Sequence, residues 1–152
     1  MDTGKITHGR SVRIALPRHK DAPTDSQFYS WCAEEAKERP LAIDLFSGAG
    51  GLGAGVEAAG WRVVASTDFD DRALETHRAN FPGLALKTDM SDPKQVEDFI
   101  NLLEGVEIDL VVGGPPCQPF STAGRAKIRS LVERGLRDAH DARKELWQSF
   151  VH

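Results

Sequence analysis

The sequence predicts an α/β fold, with an incomplete parallel sheet of about four strands, on three observations. Short apolar runs alternate with helix-length stretches from Leu41 onward, Gly and Pro punctuate them at Gly60, Pro82-Gly83 and Gly113 to Pro116, and two glycine-rich loops follow directly on apolar runs. Such alternation is the pattern of β-α-β units, which bind ligands beyond the carboxyl ends of their strands. Both loops are expected there.

The elements follow in order. Residues 1–40 mix Gly, Pro, Thr and charges without sustained periodicity, so they read as a mostly flexible leader with one helix over about Phe28 to Lys37. Residues 41–152 read as a second unit. Leu41 to Phe46 is a buried strand that breaks into the run SGAGGLGAG, and a helix over about Leu52 to Ala59 ends at Gly60 as its C-terminal cap. Arg62 to Thr67 is the second strand, Asp71 to Asn80 the second helix of this unit, and Leu84 to Lys87 a short third strand. Asp92 can cap the next helix, Pro93 fits its first position and Gln95 can reach back, so that helix should run to about Glu104. Ile108 to Val112 is the fourth strand. In the tail, Asp141 is a helix cap, and Leu146, Trp147, Phe150 and Val151 begin an apolar stripe that reaches His152 without a terminator. With four strands, the Ile108 strand is an exposed edge, so the domain is expected to be incomplete.

Composition narrows the class. With 152 residues, 40% hydrophobic and 28% charged, the chain can form a compact core. It holds no apolar run of the roughly 18 residues that span a bilayer and no secretory signal layout, so a cytoplasmic protein without a membrane partner is expected. Cys32 and Cys117 are far apart and without metal-ligand spacing, which indicates neither a metal site nor a disulfide framework. The net charge of −4 hides a gradient of +1 over residues 1–40, −8 over 41–121 and +3 over 122–152. The basic tail, with Arg125, Lys127, Arg129, Arg134 and Arg137, can follow a phosphate backbone or form a solvated helix face.

Gly48, Gly50 and Gly53 satisfy GxGxxG between a strand and a helix, so backbone amides can approach a ligand where a side chain would block it. Asp68 closes the second strand 20 residues after Gly48, in place to hydrogen-bond a ribose diol. Together they favour a nucleoside-containing cofactor and leave open which one. In the second loop, Gly113-Gly114-Pro115-Pro116-Cys117-Gln118-Pro119-Phe120-Ser121, prolines on both sides of one cysteine hold its sulfur in a fixed direction at the ligand end of a strand. A reactive thiol there would need a helix terminus or a nearby cation to lower its pKa.

The stretches DLFSGAGGLGAGVEAAG (Asp44 to Gly60) and GGPPCQPFS (Gly113 to Ser121) resemble the first and fourth motifs of the C5-cytosine-specific DNA methyltransferases. The similarity runs from about Leu41 to His152 and implies a Rossmann-like fold that binds S-adenosyl-L-methionine. By that resemblance Phe46, Ser47, Gly48, Ala49, Gly50, Gly51 and Leu52 form the cofactor loop, with Phe46 against adenine. Asp68 and Phe69 contact ribose and adenine, and Asp89 with Met90 reads the adenine amino group. Cys117 matches the nucleophile that adds to cytosine C6, while Pro116, Gln118 and Ser121 belong to the loop that closes around DNA. The base must leave the helix to be reached.

The family's later motifs, a Glu-Asn-Val that assists at cytosine N3, an Arg-x-Arg and a target recognition region, are not in the sequence. The expectation is therefore a fragment or one chain of a split enzyme, inactive alone, with DNA and a second polypeptide as partners. A cofactor-binding regulatory chain without turnover and an RNA cytosine-5 methyltransferase relative are the alternatives. An NAD-dependent dehydrogenase rests on GxGxxG alone and leaves PPCQPFS without a role.

Overall fold

The computed structural model describes residues 15–116 and 129–135. A turn of 3-10 helix, Asp25–Gln27, leads into α1 (Phe28–Glu38), and then β1 (Leu41–Leu45), α2 (Gly51–Ala58), β2 (Arg62–Asp68), α3 (Asp71–Asn80), β3 (Leu84–Lys87), α4 (Pro93–Leu102) and β4 (Leu110–Gly113) follow. Residues 129–133 are helical. The expected tail helix beyond Asp141 lies outside the described residues.

All pairings are parallel, in the order β3-β2-β1-β4. Leu41, Ile43 and Leu45 of β1 face the side where α1 contributes Phe28 and Cys32 and α4 contributes Phe99; these residues form the larger core cluster. Ala42 faces the other side with Val56 of α2 and Val63. The helix expected within the leader is thus present as α1 and is part of the core. Arg62 reinforces it from β2: its Nε donates to Glu35 of α1 at 2.7 Å and its Nη1 to Glu57 of α2 at 3.0 Å.

Local chemistry explains the boundaries. Asp70 caps α3 by accepting from the Arg72 N–H at 2.8 Å, and Asp92 caps α4 by accepting from the Lys94 N–H at 3.0 Å, with Pro93 at the first position. Gln95 reaches back as expected, its Nε2 donating to Asp92 Oδ2 at 2.9 Å and its Oε1 accepting from the Asp89 N–H at 2.9 Å. Gly60 takes φ +93° after α2. β4 begins two residues later than expected because its ladder with β1 starts at Ala42↔Leu110; Asp109 instead uses its carboxylate to accept from the Leu41 N–H at 2.8 Å. In β2, Ala42 pairs with Val63 and Ile43 with Ala65, so Val64 is an extra, bulged residue. After it, Ser66 and Asp68 face the α2 and α3 side, whereas Thr67 faces Met90.

Candidate functional site: the glycine loop and its polar floor

The carboxyl ends of β1 and β2 are tied together by the loop between β1 and α2. Phe46 turns the chain with φ +57°, a left-handed conformation that a bulky residue adopts at a cost of about 1–3 kcal/mol. Two backbone donors hold the turn: the Ser47 N–H donates to the Thr67 carbonyl at 2.9 Å, and the Gly48 N–H to Asp68 Oδ2 at 2.8 Å. Gly50, at φ +97°, is the cap residue of α2, and a Cβ there would collide with Phe81 Cε2 and lie 3.0 Å from His77 Cδ2. Glycine is therefore required at Gly50 twice over, by its backbone angle and by the ring beneath it.

The sequence-predicted residues fall into distinct positions. Ala49 on the loop and Gly51 and Leu52 in the first turn of α2 are exposed, Gly48 is half-buried and Ser47 is buried. Asp68 is occupied as well as placed, since its Oδ1 accepts from the Asp70 N–H at 2.8 Å while Oδ2 holds Gly48. An ionised carboxylate offers about four acceptor positions, of which two are used among the described residues. Phe69, next along, is 68% exposed, with Lys87 Nζ 5.8 Å from its ring centre. Asp89 is half-buried beyond β3, its Oδ1 accepting from the Ser91 N–H at 2.9 Å and hydroxyl at 2.6 Å. Met90 points the other way: its side chain is buried in the core, where its sulfur accepts from the Thr67 hydroxyl at 3.9 Å. What Met90 can offer a ligand is its backbone.

The second loop starts beside the first, because β4 is the neighbour of β1 and the Gly114 N–H donates to the Leu45 carbonyl at 3.1 Å. Pro116 is half-buried. Cys117, Gln118 and Ser121 lie outside the described residues. The other cysteine, Cys32, is buried in α1, and burial pushes its thiol up to about 11, which makes it a packing residue rather than a nucleophile.

Beneath the glycine loop lies a group of polar side chains that the motifs do not single out. Asp44, Ser66 and His77 are at most 1% exposed, and neither Asp44 oxygen, nor the Ser66 hydroxyl, nor either His77 ring nitrogen has a hydrogen-bond partner among the described residues. Burial pushes the Asp44 carboxyl up to about 6; the nearby Gly53 N–H pulls it down, without a well-formed hydrogen bond, and the Asp68 charge raises it further. Burial likewise pushes the His77 imidazole down to about 4, helped by the Arg78 charge and opposed by Asp68. The sequence did carry a signal: Asp44 is a charge inside an apolar strand, and His77 and Phe81 are four apart on one helix face, their rings 4.6 Å apart.

The profile of the C-5 cytosine-specific DNA methylase family matches residues 41–152. Among relatives, the chain is 42% identical over 88 residues to the type II methyltransferase M.AgeI of Thalassovita gelatinovora, covering 56% of this chain and 20% of that one. It is 36% identical over 110 residues to M1.HphI of Haemophilus parahaemolyticus, covering 72% of this chain and 27% of the relative. Among solved structures, an E. coli prophage protein described as a DNA modification methyltransferase is 33% identical with a TM-score of 0.52, over 73% of this chain and 27% of that one. The chain thus spans about a quarter of the length of these relatives. The α/β sheet with its four parallel strands is the fold of S-adenosylmethionine-dependent methyltransferases, and the chain belongs to the C-5 cytosine-specific DNA methylase family.

Proposed function

We propose that this chain supplies the S-adenosylmethionine cradle and the thiol nucleophile for methylation of cytosine C5 in DNA. The observation that carries the cofactor half is the hydrogen bond from the Gly48 N–H to Asp68 Oδ2 at 2.8 Å, which sets the glycine loop and the ribose-binding acid against each other. The donor set suits an adenosine-containing cation: a loop of small residues for close backbone approach, acceptor positions on Asp68, an exposed Phe69 ring for adenine and Asp89 for its amino group. Bound there, S-adenosylmethionine supplies a methyl group on a sulfonium.

The remaining steps belong to Cys117 and its loop. The Cys117 thiolate adds to C6 of an extruded cytosine, forming a C–S bond and turning C5 into a nucleophile that would take the methyl group from the bound sulfonium, with S-adenosylhomocysteine as the leaving group. Loss of the C5 proton to a base then breaks the C–S bond, releasing 5-methylcytosine and the thiolate. Gln118 and Ser121 close around the DNA, with Pro116 stiffening the approach to Cys117. Polarisation of cytosine at N3 and recognition of a target sequence require the family's later motifs, carried either by a continuation of this sequence or by a second polypeptide.

Calorimetric titration tests the cofactor reading: S-adenosylhomocysteine should bind and NAD should not. Binding of NAD without S-adenosylhomocysteine would overturn it. Labelled methyl transfer to duplex DNA tests the rest, absent with these residues alone and present when the downstream motifs are supplied.

A further inference from the structure

We propose that His77 is a positioning residue for the glycine loop, its buried imidazole joined to Asp44 and Ser66 through internal water so that the loop is held in its ligand-ready shape. The proposal rests on the cofactor reading above for its functional meaning, and on four observations for its geometry.

First, His77 lies directly under the loop. Its Cδ2 is 3.0 Å from the point where a Gly50 Cβ would stand, and its Nε2 is 4.0 Å from the corresponding point at Gly53. Second, Asp44 Oδ2 is 3.2 Å from that same point at Gly53, so imidazole and carboxylate both approach Gly53. Third, Ser66 is the direct partner of Asp44 on the neighbouring strand and faces the same way. Fourth, all three are at most 1% exposed, and five of their polar atoms are without a partner among the described residues. Buried polar groups are satisfied in the great majority of folded proteins, and where side chains do not reach each other, ordered water with two to four polar partners closes the gap. An aromatic ring at position 77 would pack on Phe81 and support Gly50 equally well; an imidazole adds two ring nitrogens that can hydrogen-bond. The charged groups around this space are Asp44 from β1, Asp68 from the end of β2 and Arg78 from α3. Asp68 in turn holds Gly48, which connects the floor to the loop that covers it.

The test compares His77→Phe, which keeps a flat ring and removes both nitrogens, with His77→Gln, which keeps hydrogen-bonding capacity. Melting curves establish folding, and S-adenosylhomocysteine affinity is measured calorimetrically from pH 5 to 8. His77→Phe should bind at least tenfold more weakly, whereas His77→Gln should stay within about threefold of the unsubstituted chain. Wild-type affinity with phenylalanine, or equal loss in both folded variants, would reduce His77 to a packing role and overturn the proposal. Should neither variant fold, nitrogen NMR of the unsubstituted chain decides. A bridged imidazole shows one fixed neutral tautomer over pH 5–8, and a ring without partners shows a rapidly exchanging mixture. Failure of the unsubstituted chain to bind S-adenosylhomocysteine would remove the cofactor reading, while the tautomer measurement would still decide the network.

Discussion

Asp44 and His77 make opposite demands on pH, and separating them is a quantitative test of the polar floor. Burial raises the Asp44 pKa from 3.8 to about 6, so the folded state holds a proton that the unfolded chain has released between those values. Its stabilising contribution is full below pH 3.8 and lost as pH rises through about 6. Burial lowers the His77 pKa from 6.5 to about 4, so its contribution is full above pH 6.5 and lost as pH falls through about 4. At 1.36 kcal/mol per pKa unit, each of these changes corresponds to about 3 kcal/mol. Over pH 4–6 the two slopes oppose each other and largely cancel. Asp44→Asn removes the opposing carboxyl while His77 stays buried, so that stability rises with pH by about 2–3 kcal/mol more than in the unsubstituted chain. His77→Gln should do the reverse, with stability falling by a similar amount from pH 4 to 6. Urea unfolding at half-unit pH intervals measures both, and subtracting the unsubstituted profile removes groups common to all three chains, such as the carboxyl of Asp92, held low mainly by Gln95. Parallel profiles for all three chains would refute the placement of both groups.

Gly83→Ala should destabilise the fold by about 1–3 kcal/mol, because its Cβ would collide with the Val63 carbonyl oxygen and lie 2.9 Å from that of Val64, both backbone atoms of the sheet. Gly55→Ala is the control: it is helical and meets open space, so thermal melting should show it stabilised by about 0.5–1 kcal/mol. Asp68→Ala should weaken S-adenosylhomocysteine binding by about 1.5–3 kcal/mol in calorimetry, since charge-assisted bonds to Gly48 and any ligand go together, and unchanged affinity would remove Asp68 from the site. Cys117→Ser, in an assembly carrying the downstream motifs, should abolish labelled methyl transfer, because a hydroxyl is a far weaker nucleophile than a thiol with some thiolate present.

Much of the fold was legible because its signals are local. The α3 and β3 boundaries coincide with those read from the sequence, and the caps at Asp92 and Gly60 follow from side-chain chemistry within a few residues. The start of β4 was misplaced because it depends on which residue of β1 it meets, a contact between distant parts of the chain. The glycine loop and Asp68 were recognisable, and their being joined at 2.8 Å was not, since spacing says nothing about a side chain reaching back across a sheet. Met90 belonged to a motif, yet its side chain packs in the core, because β3 has already ended and the chain turns inward there. His77 carried only a weak signal, its spacing from Phe81: on α3 it reads as one more polar helix residue until Gly50 is seen resting on it.

The bulge at Val64 resets which side of the sheet β2 presents. A seven-residue strand with unbroken alternation from Val63 would carry Ser66 and Asp68 to the α1 and α4 side; the extra residue returns them to the glycine loop. The facing of the acid is therefore counted from Ala65, not from the start of the strand. A natural sequence one residue shorter before that point can still offer its carboxylate to the loop. The same loss between Ala65 and Asp68 would turn the carboxylate to the opposite side, so length variation in this strand is tolerable before the reset and ruinous after it.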